Sequence, residues 1–226
     1  MLLGCIVVPL RRDWEELSRR QEALIKKLEQ EGIIKSEIVK KTMLKVPRHL
    51  FVPPHLVKYA YDDSPLPIGH GQTISAPHMV AMMTELLELE EGQKILEIGT
   101  GSGYQAAILA EIVGEKGLVV SVEYVPELAK NAYRILKSLG YNNVLVVIFD
   151  GSLGFPILKP YDRIIVTCAS PRFPEHLIKQ LKPEGTMVAP VGSSFYQKLY
   201  VYKGGKIKDY GFVAFVPMRG KKGFYP

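Results

Sequence analysis

The stretch "KILEIGTGSGYQAAILAEIVG", residues 94–114, decides the fold. It opens with a continuous apolar run, KILEIG, bounded by turn residues. It closes with YQAAILAEIVG, a helical pattern ended by glycine. Between them Gly99, Gly101 and Gly103 let the backbone turn tightly and approach a ligand, and the helix N-terminus offers free amides to it. The spacing is G-x-G-x-G, one residue short of the dinucleotide fingerprint, and no phosphate-loop lysine follows.

The same rhythm continues outward from this unit. Strands are expected at 118–123, 144–150, 162–169 and 186–192, with helices at 125–140 and near 174–181. Strands this apolar are buried on both faces, which argues for a doubly wound, mostly parallel α/β sheet with helices on either side. After Gly192 the alternation stops, and residues 197–218 read as an antiparallel hairpin turning at Gly204–Gly205. Before the sheet lies an N-terminal helical segment. Asp13 is placed to cap a helix over 13–31, with Trp14, Leu17, Leu24, Ile25 and Leu28 on one stripe. Ser36 caps a second helix, 47–77 reads as irregular, and a helix runs from Pro77 to about Leu89. The whole chain, 1–226, reads as one domain in three parts: 1–90 helical and covering, 91–192 the α/β core, 193–226 the hairpin and tail.

The second strand ends in Glu123, about twenty residues past the last glycine, a position suited to accepting hydrogen bonds from ribose hydroxyls. The third ends in Asp150–Gly151 on the same edge, where an acid could meet an adenine amino group. Three successive strands ending in polar ligand candidates favour a nucleoside-like cofactor.

Composition sets the remaining bounds. The 226 residues are 47% hydrophobic and carry a formal net charge of +6, with no run of five like charges, so a mixed solvated surface is expected rather than a nucleic-acid site. Two cysteines, Cys5 and Cys168, are too few for a disulfide framework or a zinc cluster, and no metal is expected. Cys168 reads as a buried thiol. "MLLGCIVVPL" lacks a basic leader and is broken by Pro9, and no run of eighteen apolar residues occurs, so a cytoplasmic protein without a membrane partner is expected. A monomer is compatible with all of this. Only three asparagines occur, which fits a hot environment.

One segment remains, "GHGQTISAPHM" at 69–79. Together with "VPRHLFVPP", "ILEIGTGSGYQAAILA", "YDRIIVTCAS", "LKPEGTMVAPVG" and "FVPM", it resembles the protein-L-isoaspartate (D-aspartate) O-methyltransferases, a family of Rossmann-like S-adenosylmethionine-dependent enzymes. The resemblance covers roughly residues 45 to 217. "GQTISAP" is specific to that family, whereas "GTGSG" is shared by many methyltransferases. Phe149 and His70 depart from the usual pattern without touching the chemistry.

The resemblance implies methyl transfer from S-adenosylmethionine, leaving S-adenosylhomocysteine, to the α-carboxylate of isoaspartyl residues in age-damaged proteins. The ester then collapses to a succinimide. It implies a cofactor shell of Gln72, Thr73, Ile74, Glu97, Gly99, Thr100, Gly101, Ser102, Gly103, Tyr104, Gln105, Glu123, Tyr124, Asp150 and Gly151. It also implies Ser75 as the catalytic hydroxyl, with His78 and main-chain groups near Val216 touching substrate. Read without the resemblance, Ser75 is a helix cap for Pro77 onward. The alternatives are a methyltransferase acting on RNA or a metabolite, against which the "TCAS" strand exit speaks, and a non-catalytic cofactor sensor, against which an intact "QTISAP" speaks.

Overall fold

The structure is a computed structural model that describes residues 11–224. In chain order it holds α1 (Arg11–Gln30), α2 (Glu37–Lys45), a two-stranded hairpin of β1 (Leu66–Gly69) and β2 (Gln72–Ile74), and α3 (Pro77–Leu87). There follow β3 (Lys94–Ile98), α4 (Tyr104–Val113), β4 (Leu118–Glu123), α5 (Pro126–Ser138), β5 (Val144–Ile148), β6 (Tyr161–Val166), α6 (Glu175–Ile178), β7 (Leu181–Gly192), β8 (Gln197–Lys203) and β9 (Lys206–Val213). The large sheet has the order β5-β4-β3-β6-β7-β8-β9. Pairs are parallel from β5 to β7 and antiparallel from β7 to β9. The chain runs outward from β3 to β5 and then returns to place β6 beside β3. The strand order therefore reverses between β3 and β6, and a crevice opens beyond their carboxyl ends, where such sheets bind ligands.

Apolar side chains form one cluster on each face of the sheet. The larger holds Leu17, Leu28, Met43, Met83, Ile108 and Leu136, drawn from α1 to α5. The other face is covered more thinly, by α6 through Leu177, by Phe155, and by Met218 from the tail. The expected helix near 174–181 shrinks to one turn because Gln180 is pulled into the loop before β6. Its Oε1 accepts from Phe155 N, its Nε2 donates to Leu153 O, and its carbonyl accepts from Tyr161 N. For the same reason β7 starts at Leu181, five residues earlier than the sequence reading placed it.

Two further expectations are corrected. The segment 47–77 is not wholly irregular: 66–74 forms the small hairpin, its tip turned by Gly69, His70 and Gly71, all with positive φ. The first helix begins at Arg11, so Asp13 lies inside it rather than capping it. The predicted apolar stripe stands, with Leu17, Leu24, Ile25 and Leu28 buried. Ser36 does cap α2, its Oγ accepting from Val39 N. The turn at Gly204–Gly205 also stands, both residues having positive φ as a two-residue hairpin turn requires. The readings of "MLLGCIVVPL" and of Cys5 fall outside the described residues. No described helix is long and apolar enough to cross a membrane.

Candidate active site

The glycine loop leaves β3 at the reversal point, and its backbone is held from below. Gly99 has φ +100, and a Cβ there would stand 2.5 Å from Thr167 Oγ1, so only glycine fits between the ends of β3 and β6. Thr167 closes that gap by donating to the carbonyl of Ile98 or Gly99. Gly103, at the start of α4, packs directly on Ala132 of α5. The β1–β2 hairpin lies over the loop: a Cβ on Gly101 would be 3.5 Å from Ile68 Cδ1.

A cleft of about 870 Å³, its open mouth included, lies over this loop. Gln72, Thr73, Ile74, Ser75, Gly99, Thr100, Gly101, Ser102, Tyr104, Gln105, Glu123, Tyr124, Gly151 and Val216 line it. The carboxylate of Glu123 is almost wholly buried and is fixed by two amides, Gly101 N on Oε2 at 2.8 Å and Val125 N on Oε1 at 2.9 Å. Each oxygen keeps a lone pair for a further donor.

Three expected residues stand elsewhere. Gly103 lies beneath the loop. Asp150 does not line the cleft: its Oδ1 accepts from Ser152 N and Oγ, and its Oδ2 from Lys221 N. It fastens the tail, and Gly220 has no room for a Cβ against it. Gly151 and Ser152 present the lining at that point. Glu97 is fully buried behind the loop, where Ser121 donates to Oε2 and Thr100 bonds Ser121 in turn. Its Oε1 has no partner among the described residues.

Burial, augmented by the nearby charge of Glu123 and opposed by the Ser121 hydroxyl, pushes the Glu97 carboxyl up to about 8. An acid whose folded pKa is raised binds its proton more tightly in the native state than in the unfolded one, so native stability falls as pH rises from about 4.5 to about 8. Glu97→Gln removes that slope. Its melting temperature relative to the parent therefore rises between pH 5 and pH 8, and parallel pH profiles for the two proteins would refute the assignment.

Sequence reasoning missed Thr167, Cys168, Ser152, Met218 and Arg219, all of which line the cleft. Nothing in "TCAS" or "PMRG" marks a ligand by residue type; only the strand order brings them there. Cys168 is not the buried core thiol expected. It is half-buried on the cleft wall, with its thiol pushed well up by burial. Arg219 donates to His70 O at 2.9 Å and so ties the tail to the hairpin tip at the cleft.

A second groove opens beside the first, lined by Pro65, Ala76, His78, Met79 and residues 212–215, among others. Thr73, Ser75, Thr167 and Val216 line both. Ser75 does not cap α3. Ala76 holds the cap position without a side-chain bond, and Asp63 accepts from His78 N instead. No hydrogen bond among the described residues occupies the Ser75 hydroxyl. Asp63 Oδ1 also accepts from His78 Nδ1 at 2.8 Å, which orients the imidazole where it lines the groove.

A parallel sheet that reverses beside a G-x-G-x-G loop, with an amide-fixed acid at the end of the second strand, is the architecture of the Rossmann-like S-adenosylmethionine-dependent methyltransferases. The family model described as protein-L-isoaspartate (D-aspartate) O-methyltransferase matches residues 19–223, and on that match the chain belongs to this family. Protein-L-isoaspartate O-methyltransferase 2 of Archaeoglobus fulgidus is 54% identical over 94% of this chain and 97% of its own. The Methanosarcina mazei enzyme is 53% identical over 95% and 89%. A solved protein-L-isoaspartate O-methyltransferase superposes with a TM-score of 0.82 at 34% identity, covering 90% of this chain and 67% of that one. A beta-aspartate methyltransferase of Plasmodium falciparum, crystallised with S-adenosyl-L-homocysteine, gives 0.79 at 27% identity over 88% and 98%. The chain is thus an S-adenosylmethionine-dependent enzyme that methylates isoaspartyl residues of damaged proteins.

Proposed function

We propose that the cleft is the donor site, the adjoining groove the acceptor site, and Ser75 the catalytic hydroxyl between them. The observation that carries this is the wall the two share: Thr73, Ser75, Thr167 and Val216 face both.

The residues fit the cofactor. Glu123 would accept from both ribose hydroxyls, being fixed by two amides with a lone pair spare on each oxygen. Thr100, Gly101, Ser102 and Gln105 would border the methionine part. Gly151 and Ser152 would flank adenine, with Tyr124 at its edge, and Gln72 to Ile74 would cover the whole. When bound, S-adenosylmethionine supplies a methyl group already activated by its sulfonium.

The acceptor carboxylate has a pKa near 4 and is ionised at neutral pH, so the chain need not supply a general base. One carboxylate oxygen would take the methyl group, and the sulfur of the bound cofactor would keep the electron pair of the broken carbon–sulfur bond. The chain's contribution is positioning, which supplies about 7–11 kcal/mol of such a barrier. A neutral hydroxyl at Ser75 donates to the carboxylate and fixes its direction without quenching it as a tight cation pair would. His78, steered by Asp63, and main-chain groups at Val216 hold the acceptor chain. Recognition mainly through backbone suits damaged sites that occur in many sequence contexts. Cytoplasmic proteins are the proposed pool.

The test is transfer of radiolabelled methyl to a matched pair of isoaspartyl and aspartyl peptides. Label on the isoaspartyl peptide alone is expected. Equal labelling of both would overturn the proposed acceptor geometry.

A further inference from the structure

Three exposed aromatic side chains near the carboxyl edge of the sheet have no role in the reaction described above. Phe195, Tyr196 and Phe212 are 86%, 75% and 75% exposed. The turn carrying the first two is well formed: Ser193 N donates to Tyr196 O, and Ser193 Oγ accepts from Phe195 N and Tyr196 N. It leaves β7 at that strand's carboxyl end, the edge of the sheet on which the groove lies. Lys198 pairs with Phe212 across β8 and β9, and its Nζ lies 5.3 Å from the Phe212 ring centre, so the two side chains share a face. Tyr196, in the turn, directly precedes β8, whose first pairs with β9 are Gln197 with Val213 and Lys198 with Phe212. Phe212 also borders the acceptor groove, and Gln197 Oε1 accepts from Phe215 N, which secures the chain leaving β9 against β8.

We infer that Phe195, Tyr196 and Phe212 form a landing surface for a large apolar side chain next to the isoaspartyl residue in an unfolded segment of the acceptor protein. The inference rests on the acceptor reading given above. The occupant follows from continuity: a chain lying in the groove passes over Phe212 as it leaves. Clustered exposed aromatics mark interaction surfaces more often than isolated ones do. The one cation among them, Lys198, is paired with Asp209 at 2.6 Å, so the surface selects apolar area rather than charge. A flat aromatic platform without pocket walls favours apolar neighbours while imposing no motif, and unfolded segments expose such side chains.

The test uses isoaspartyl peptides in which phenylalanine replaces alanine, one at a time, at the three positions on either side of the isoaspartyl residue. With the parent enzyme at least one replacement lowers KM by about five- to tenfold, the value of burying part of one ring. In the double variant Phe195→Ala, Phe212→Ala that contrast falls below about twofold, the loss being in KM. Both side chains are exposed, so an unchanged melting temperature reports an intact fold. A contrast that survives in the variant, or no contrast in the parent, overturns the inference. If the variant instead turns a dimer into a monomer and keeps the contrast, the surface joins two copies and the inference fails. Failure of the parent to methylate any isoaspartyl peptide would remove the acceptor reading, and this inference with it. Methylation of all the peptides at one KM would remove only this inference.

Discussion

Replacing Ser75 by alanine lowers kcat on an isoaspartyl peptide by about ten- to a hundredfold, the range set by a hydrogen bond to a charged group at about 1.5–3 kcal/mol. The cofactor Kd stays within about twofold, because the bonds that fix Glu123 and the glycine loop do not involve Ser75. The split distinguishes this role from a structural one. A helix cap lost at α3 would lower stability and disturb both sites, yet Ala76, not Ser75, occupies that cap. Single-turnover methyl transfer, with cofactor binding measured separately by calorimetry, gives both numbers. Unchanged turnover, or a parallel loss of cofactor binding, would remove the assignment.

Glu123→Gln has the opposite signature. The amide offers one acceptor where the carboxylate offers two, so one of the amides of Gly101 and Val125 faces a donor. The site is nearly closed to water, so that mismatch is not relieved by solvent. Loss of the charge-assisted bonds to the ribose adds to this. The expected result is a rise of about a hundredfold in cofactor Kd, corresponding to roughly 2.7 kcal/mol. At saturating donor, kcat is expected to stay within about threefold, since the acceptor groove is untouched. Calorimetric titration checks the first number and initial rates the second. Wild-type cofactor affinity in this variant would show that Glu123 serves only to tether the loop and α5.

The two variants together test the proposed division of one crevice into donor and acceptor halves. They also mark where sequence and structure part. The strand–loop–helix unit at 94–114 fixed the fold class, because an apolar run followed by closely spaced glycines and a 3.6-period pattern has few other solutions. Glu123 was legible for the same reason: a strand of known start and length puts its last residue at the sheet edge. Asp150 obeyed the same rule and ended at the same edge, yet its carboxylate accepts from Ser152 and from the Lys221 amide and does not line the cleft. The more distant of these partners lies 71 residues further on, and local pattern carries no trace of it. Glu97 stands in the motif itself, but strand alternation turned it behind the loop.

By itself the sequence determined the parallel core, the glycine loop, the Ser36 cap, the turn at Gly204–Gly205 and the presence of a hydroxyl-bearing segment ahead of the sheet. Each rests on contacts within a few residues or on a period along one element. The tertiary structure alone decided that Thr167, Cys168, Met218 and Arg219 line the cleft over the glycine loop, that Ala76 rather than Ser75 holds the cap of α3, and that Asp150 fastens the tail. These depend on which strand lies next to which and on bonds that close over long loops, and hydrophobic period does not encode either.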